Sequence, residues 1–160
     1  MNNPAVAVLG TSDKRYIKIH KDLFKEVSGK QVDMVTFDID TKHLGGGKDV
    51  IYHDVTEPFQ IKLDIVFSHE LMKFLKSDEQ IKTIRNSYNS LNKRGFAMHI
   101  IHEPSIKGTS EHRKWQYRVN PDLIIEQLKK ENLPIRKIIF KINSNVDWLR
   151  ETNVILLEKK

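Results

Sequence analysis

The sequence predicts an α/β layer sandwich, a mostly parallel seven-stranded sheet with helices on both faces and one reversed strand at its end. Three observations carry that expectation. Short apolar runs rich in β-branched residues alternate with segments whose apolar residues recur every three or four positions. The last two apolar runs, 135–142 and 153–159, are joined by about ten polar residues with no helical pattern. They must therefore pair antiparallel, because parallel neighbours need a crossover. No repeat, low-complexity tract or long linker divides the 160 residues, a length that suits one domain.

The elements follow in order. AVAVLG (5–10) reads as a buried strand. Ser12 or Asp13 caps a helix with Tyr16, His20, Leu23, Phe24 and Val27 on its apolar face, ended by Gly29. QVDMVTFDID (31–40) is the second strand, and DVIYHDV (49–55), after a GGG turn, is the third. LDIVFSHEL (63–71) is a strand running into one or two helical turns. Ser77 and Gln80 fit a capping box for a helix that buries Ile81, Ile84, Tyr88 and Leu91, carries Lys93 and Arg94 in its last turn and stops at Gly95. FAMHIIH (96–102) is the fifth strand, 104–119 a polar, basic loop, and Asn120-Pro121-Asp122 opens a helix to about Asn132.

Composition narrows the chemistry. With no cysteine, disulfides, zinc-thiolate sites and cysteine nucleophiles are excluded. No run approaches the ~20 apolar residues of a membrane span. The N-terminus lacks the basic, apolar pattern of a signal peptide, so a cytoplasmic protein without membrane association is expected. The formal charge of +6 favours anionic partners, nucleic acid above all, although a lysine-rich solubilising surface would give the same excess.

In such a sheet, ligands collect beyond the carboxyl ends of the strands, where the strand order reverses. Strand one ends in Gly10-Thr11-Ser12, strand two in Asp38-Ile39-Asp40 and strand three in His53-Asp54-Val55. Strand four ends in Ser68-His69-Glu70 and strand five in His102-Glu103. An acid after strand two is placed to accept both hydroxyls of a ribose, and one after strand three to accept from an adenine amino group, with Val55 against the ring.

The order of elements, with its closing antiparallel pair, resembles the class I S-adenosylmethionine-dependent methyltransferases from Ala5 to about Lys159. VTFDID is similar to the family's second-strand acidic motif, and IYHDVTEPF to its third-strand motif. LDIVFSHEL resembles its fourth strand. EQIKTIRNSYNSLNKRGFAMHII resembles the helix, turn and fifth strand that follow. The resemblance implies a Rossmann-like three-layer α/β/α sandwich of strand order 3-2-1-4-5-7-6 and S-adenosyl-L-methionine as cofactor. It implies cofactor contacts from Gly10, Thr11, Ser12, Asp38, Ile39, Asp54, Val55 and Ser68. The family's glycine-rich loop after strand one is degenerate here: Gly10 matches its first glycine, Ser12 stands at the second and Lys14 at the third.

Methyl transfer from an already activated cofactor depends largely on alignment, so a base is optional. His69 and Glu70 are the candidates to orient or deprotonate a nucleophile, and His102 and Glu103 are placed to meet the substrate. The loop KGTSEHRKWQYR interleaves cations with aromatics, so Arg113, Trp115 and Tyr117 are candidates to hold a nucleic acid by phosphate contact and base stacking. No metal site is expected. Asp38-x-Asp40 is too short a motif, and strand alternation puts His99 and His102 on opposite faces. The expected activity is methyl transfer to a nucleic acid or protein, with a homodimer or partner subunit covering the mouth. The alternative is a methyltransferase-like binding protein with weak or no activity. A dinucleotide enzyme is disfavoured by the glycine pattern.

Overall fold

The computed structural model describes residues 3–11, 13–42, 44–102, 116–141 and 151–160. The seven strands are β1 (Ala5–Leu9), β2 (Asp33–Asp38), β3 (Val50–Tyr52), β4 (Leu63–His69), β5 (Leu91–His102), β6 (Ile135–Lys141) and β7 (Glu151–Glu158). They form one sheet in the order β3-β2-β1-β4-β5-β7-β6, with β7 antiparallel to both of its neighbours and the other pairs parallel. The expected strand order and the reversed strand are both present.

Helix α1 (Arg15–Ser28) packs on one face, where Phe24 joins Val6, Val8, Met34, Ile65 and Phe67. Helices α2 (Ser77–Ser90) and α3 (Pro121–Lys130) cover the other, burying Ile81, Ile84, Ile124 and Leu128 against Ala7, Leu9, Val66 and Ile155. Val6, Ala7, Val8 and Leu9 are wholly inaccessible because β1 is covered on both faces. A strand buried on both sides reads as a continuous apolar run, which is why AVAVL does not alternate. Among the described residues, no helix is long and apolar enough to cross a membrane.

Several boundaries differ from the sequence expectation. The inward face of α1 is His20 and Phe24 with half-buried Ile17, whereas Tyr16, Leu23 and Val27 are exposed. The apolar stripe of this helix is wider than the sheet surface below it, so its outer edge stays in solvent. The α2 capping contact lies one residue early: the Glu79 carboxylate accepts the Lys76 N–H at 2.7 Å. Gln80 instead turns inward, its Nε2 lying 3.2, 2.9 and 3.1 Å from the carbonyls of Met72, Leu75 and Arg118. That amide ties the 3-10 turn Met72–Phe74 to the chain entering α3.

Helix α2 ends at Ser90, not at Gly95, because Leu91 adopts an extended backbone and is buried against β4. Gly95 has another role. A Cβ there would lie 2.9 Å from the Asp64 carbonyl, 3.0 Å from that of Asn92 and 3.2 Å from that of Leu63. β5 can lie this close to β4 only with no side chain at that position. Gly95→Ala should therefore lower stability by about 1–3 kcal/mol through strand displacement. Urea unfolding measures this, and an unchanged midpoint would show that the backbone can yield there.

Candidate active site

The carboxyl ends of β1, β2, β3, β4 and β5 share one edge of the sheet, together with the start of the antiparallel β7. The chain reverses its direction of travel between β1 and β4, the position at which open α/β sheets bind their ligands.

The loop after β1 is held from β2. Gly10 donates its N–H to the Phe37 carbonyl at 2.8 Å, and Thr11 donates its N–H to Asp38 Oδ2 at 3.1 Å. Asp38 Oδ1 accepts the Asp40 N–H at 2.8 Å, and the Asp38 carbonyl accepts the His53 N–H at 3.1 Å. One residue thus fixes the ends of three strands. Each of its carboxylate oxygens accepts one of these bonds and has capacity for another. Gly10 has φ of +66°, a conformation that L side chains rarely adopt, and an added Cβ would sit 2.8 Å from Leu71 Cδ1. Thr11 is buried, and its hydroxyl has no hydrogen-bond partner among the described residues. Such a group at a strand end leaves one polar contact unmade.

Asp54 stands exposed beyond β3. It accepts the Thr56 N–H at 2.9 Å and the Thr56 hydroxyl at 2.8 Å, and these bonds hold its carboxyl below the ordinary range. Val55 is buried beside Leu9 and Phe37, and its carbonyl accepts from Asn86 Nδ2 of α2 at 3.2 Å. Ile39 is 68% exposed and borders the same edge.

On β4 and β5, alternation separates two histidine pairs. Ser68 and His99 face α2 and are inaccessible, with Ser68 Oγ 2.8 Å from His99 Nδ1. His69 and His102 face the α1 side at the mouth, with their Nε2 atoms 2.8 Å apart and their rings nearly perpendicular at 80°. His102 Nδ1 lies 2.9 Å from the Thr152 hydroxyl. Burial, then His102, lowers the pKa of His69; Glu70 opposes this and Lys73 adds to it.

Glu70 has φ of +59°. Its N–H donates to the Ile100 carbonyl at 3.0 Å, one carboxylate oxygen accepts the His102 N–H, and the other pairs with Lys73 Nζ at 2.6 Å. The carboxylate is thus engaged in joining the ends of β4 and β5. Tyr117 comes near through its backbone, donating its N–H to the Lys73 carbonyl at 2.6 Å.

The structure therefore brings Gly10, Thr11, Asp38, Ile39, Asp54 and Val55 to one part of the edge, and His69, Glu70, His102 and Tyr117 to the other. It places Ser68 beneath the edge, against His99. Ser12, Glu103, Arg113 and Trp115 lie outside the described residues. Among the described residues, no group of three or more His, Asp or Glu is arranged to hold a metal ion. Sequence reasoning missed Thr152, which falls in the stretch read as a polar connection. The signal was the antiparallel closing pair, since the start of β7 must return to the mouth.

His99 gives a pH signature. Complete burial lowers its pKa to about 3, so it is neutral in the folded chain. Below an ordinary value of 6.5 the unfolded chain takes up a proton that the folded chain refuses. The contribution to stability is therefore full above that pH and is lost progressively as pH falls towards about 3. The melting temperature of the wild type should fall more steeply from about pH 7 to about pH 4 than that of His99→Gln. Equal slopes would remove His99 as a source of acid sensitivity.

No protein-family model and no curated protein matches the sequence. Solved structures do match in fold. A SAM-dependent methyltransferase from Archaeoglobus fulgidus is 13% identical with a TM-score of 0.68, covering 99% of this chain and 87% of its own. A TehB-like SAM-dependent methyltransferase from Corynebacterium glutamicum is 15% identical with a TM-score of 0.68, over 100% of this chain and 82% of its own. Magnesium protoporphyrin IX methyltransferase from Synechocystis, solved with bound SAM, is 12% identical with a TM-score of 0.66, over 99% and 71%. At these identities the likeness establishes the fold, that of the class I methyltransferases.

Proposed function

We propose that this chain is an S-adenosyl-L-methionine-dependent methyltransferase. One observation carries the reading: the Asp38 carboxylate and the Gly10–Thr11 turn meet at the reversal point of a sheet whose whole topology is that of such enzymes. The residues present fit an adenosyl group. Asp38 retains acceptor capacity for ribose hydroxyls, exposed Asp54 offers an acceptor to an adenine amino group, and Val55 and Ile39 supply apolar flanks. The buried Thr11 hydroxyl is available to a polar atom of the ligand. When bound, the cofactor supplies a methyl group already activated on a sulfonium, so the protein's task is alignment. His69 stands where it would meet the acceptor, and Glu70 acts as a positioning residue that holds the β4 and β5 ends together.

The acceptor in this reading is carried by a nucleic acid or a protein, which the excess of six positive charges supports. His102 and Tyr117 border its site, with Arg113 and Trp115 from the basic segment as further contacts. A homodimer or partner subunit covering the mouth belongs to the same proposal.

A second reading is a methyltransferase-like binding protein without turnover. It is favoured by Leu71, whose Cδ1 fills the space beside Gly10, and by Lys14 at the third glycine position of the loop. Calorimetry with S-adenosylhomocysteine separates the two. Asp38→Ala should weaken binding about 10- to 100-fold, as expected for losing hydrogen bonds to a charged acceptor. Unchanged affinity in that variant would remove Asp38 from the site. No binding by the wild type at about millimolar ligand, a bound of ~4 kcal/mol, would leave only the second reading.

A further inference from the structure

We propose that His69 and His102 act as one proton-accepting pair oriented by Thr152, and that the methyl acceptor is consequently a nucleophile that sheds a proton, a hydroxyl or an N–H. The proposal rests on the methyl-transfer reading and names a property of its substrate and a residue of its site.

The argument is geometric. At 2.8 Å, one Nε2 must donate to the other, so the two rings cannot both carry a proton there. Thr152 lies opposite His102 in the β5–β7 register, and its hydroxyl meets His102 Nδ1 at 2.9 Å. One arrangement leaves a basic lone pair at the mouth: His102 Nδ1–H donates to Thr152, His69 Nε2–H donates to His102 Nε2, and His69 Nδ1 is bare. A proton arriving at Nδ1 makes His69 an imidazolium, whose Nε2 proton shifts along the short contact to His102. The positive charge is then shared between two rings.

The surroundings support that assignment. From α1, His20 sits behind the pair with its ring edge on Phe67 at 5.3 Å, and burial together with His69 disfavours its charged form. From the chain after β4, Glu70 and Lys73 form an ion pair of opposed charges. The N–H of His102 donates to that Glu70 carboxylate, which holds the β5 end against β4. Burial and the neighbouring ring keep His69 uncharged in neutral solution and able to accept.

The step balances without a further reactant. The acceptor's lone pair forms the bond to the methyl carbon, the electron pair of the broken carbon–sulfur bond stays on sulfur, and the acceptor's proton goes to His69 Nδ1. A carboxylate or thioether acceptor has no proton to lose and would make no use of the pair.

Two measurements on the full chain test this. Nitrogen-15 NMR of labelled histidines reads protonation and tautomer without cofactor. His102→Gln should shift the His69 titration, because the ring that shares its proton is gone. Thr152→Val should mix the His102 tautomers, and Thr152→Ser should restore the single one. A His69 titration indifferent to His102→Gln, or a His102 tautomer indifferent to Thr152→Val, overturns the pair. The second measurement follows tritiated methyl transfer from S-adenosylmethionine into nucleic-acid, protein and small-molecule fractions of a bacterial extract across a pH series. Transfer should fall on the acid side, His69→Gln should reduce it about a hundredfold, and His102→Gln should displace the acid limb. S-adenosylhomocysteine affinity should stay unchanged in both variants. A flat profile, full transfer by His69→Gln, or no transfer although S-adenosylhomocysteine binds overturns the proposal. Failure to bind S-adenosylhomocysteine at all overturns the methyl-transfer reading itself.

Discussion

The burial of Val6 to Leu9 of β1 on both faces of the sheet is the constraint from which the site follows. AVAVL is hydrogen-bonded on one side to β2 and on the other to β4, and its side chains are sealed by α1 and by the α2 layer. A strand in that position must be central, and the chain must leave it in one direction to build β2 and β3 and in the other to build β4 and β5. Right-handed crossovers then place α1 and α2 on opposite faces. The loops after β1 and β4 diverge at the same edge, where the strand order reverses.

Carboxylates organise that edge as much as they decorate it. Asp38 holds Thr11 and Asp40, Asp54 holds Thr56, and Glu70 holds His102 and Lys73. Strand ends carry backbone N–H groups that have run out of ladder partners, and a carboxylate satisfies them at short range while keeping acceptor capacity on its outer side. A single acid can thus be both a structural clamp and a ligand contact. Asp38 suits both roles, whereas both oxygens of Glu70 are already engaged within the protein.

A step of one residue along β4 and of three along β5 exchanges one histidine environment for the other. Ser68 and His99 are dry and fixed under α2, and His69 and His102 reach the mouth on the α1 side. The period of two in an extended chain is enough to separate a buried neutral imidazole from a pair at the sheet edge. The same alternation puts His99 and His102 on opposite faces of β5.

The sequence by itself determined the topology. The alternation of apolar runs and helical patterns, and the missing helix before the last strand, require a parallel sheet with a reversed closing pair, because local periodicity and crossover length are properties of the chain alone. It also determined which acids stand at strand ends, since Asp38 and Asp54 directly follow apolar runs. It could not determine where α2 stops, because Leu91 is drawn out of the helix by burial against β4, and Gly95 serves a backbone approach rather than a cap. Nor could it join His102 to Thr152 or Leu71 to Gly10, pairs separated by fifty and sixty-one positions. VLGTSDKRY looked deficient in glycines as a string, but its one glycine lies where a positive φ and the nearby Leu71 require it. Which groups meet across a sheet edge is set by register and close packing, and these exist only once all seven strands are in place.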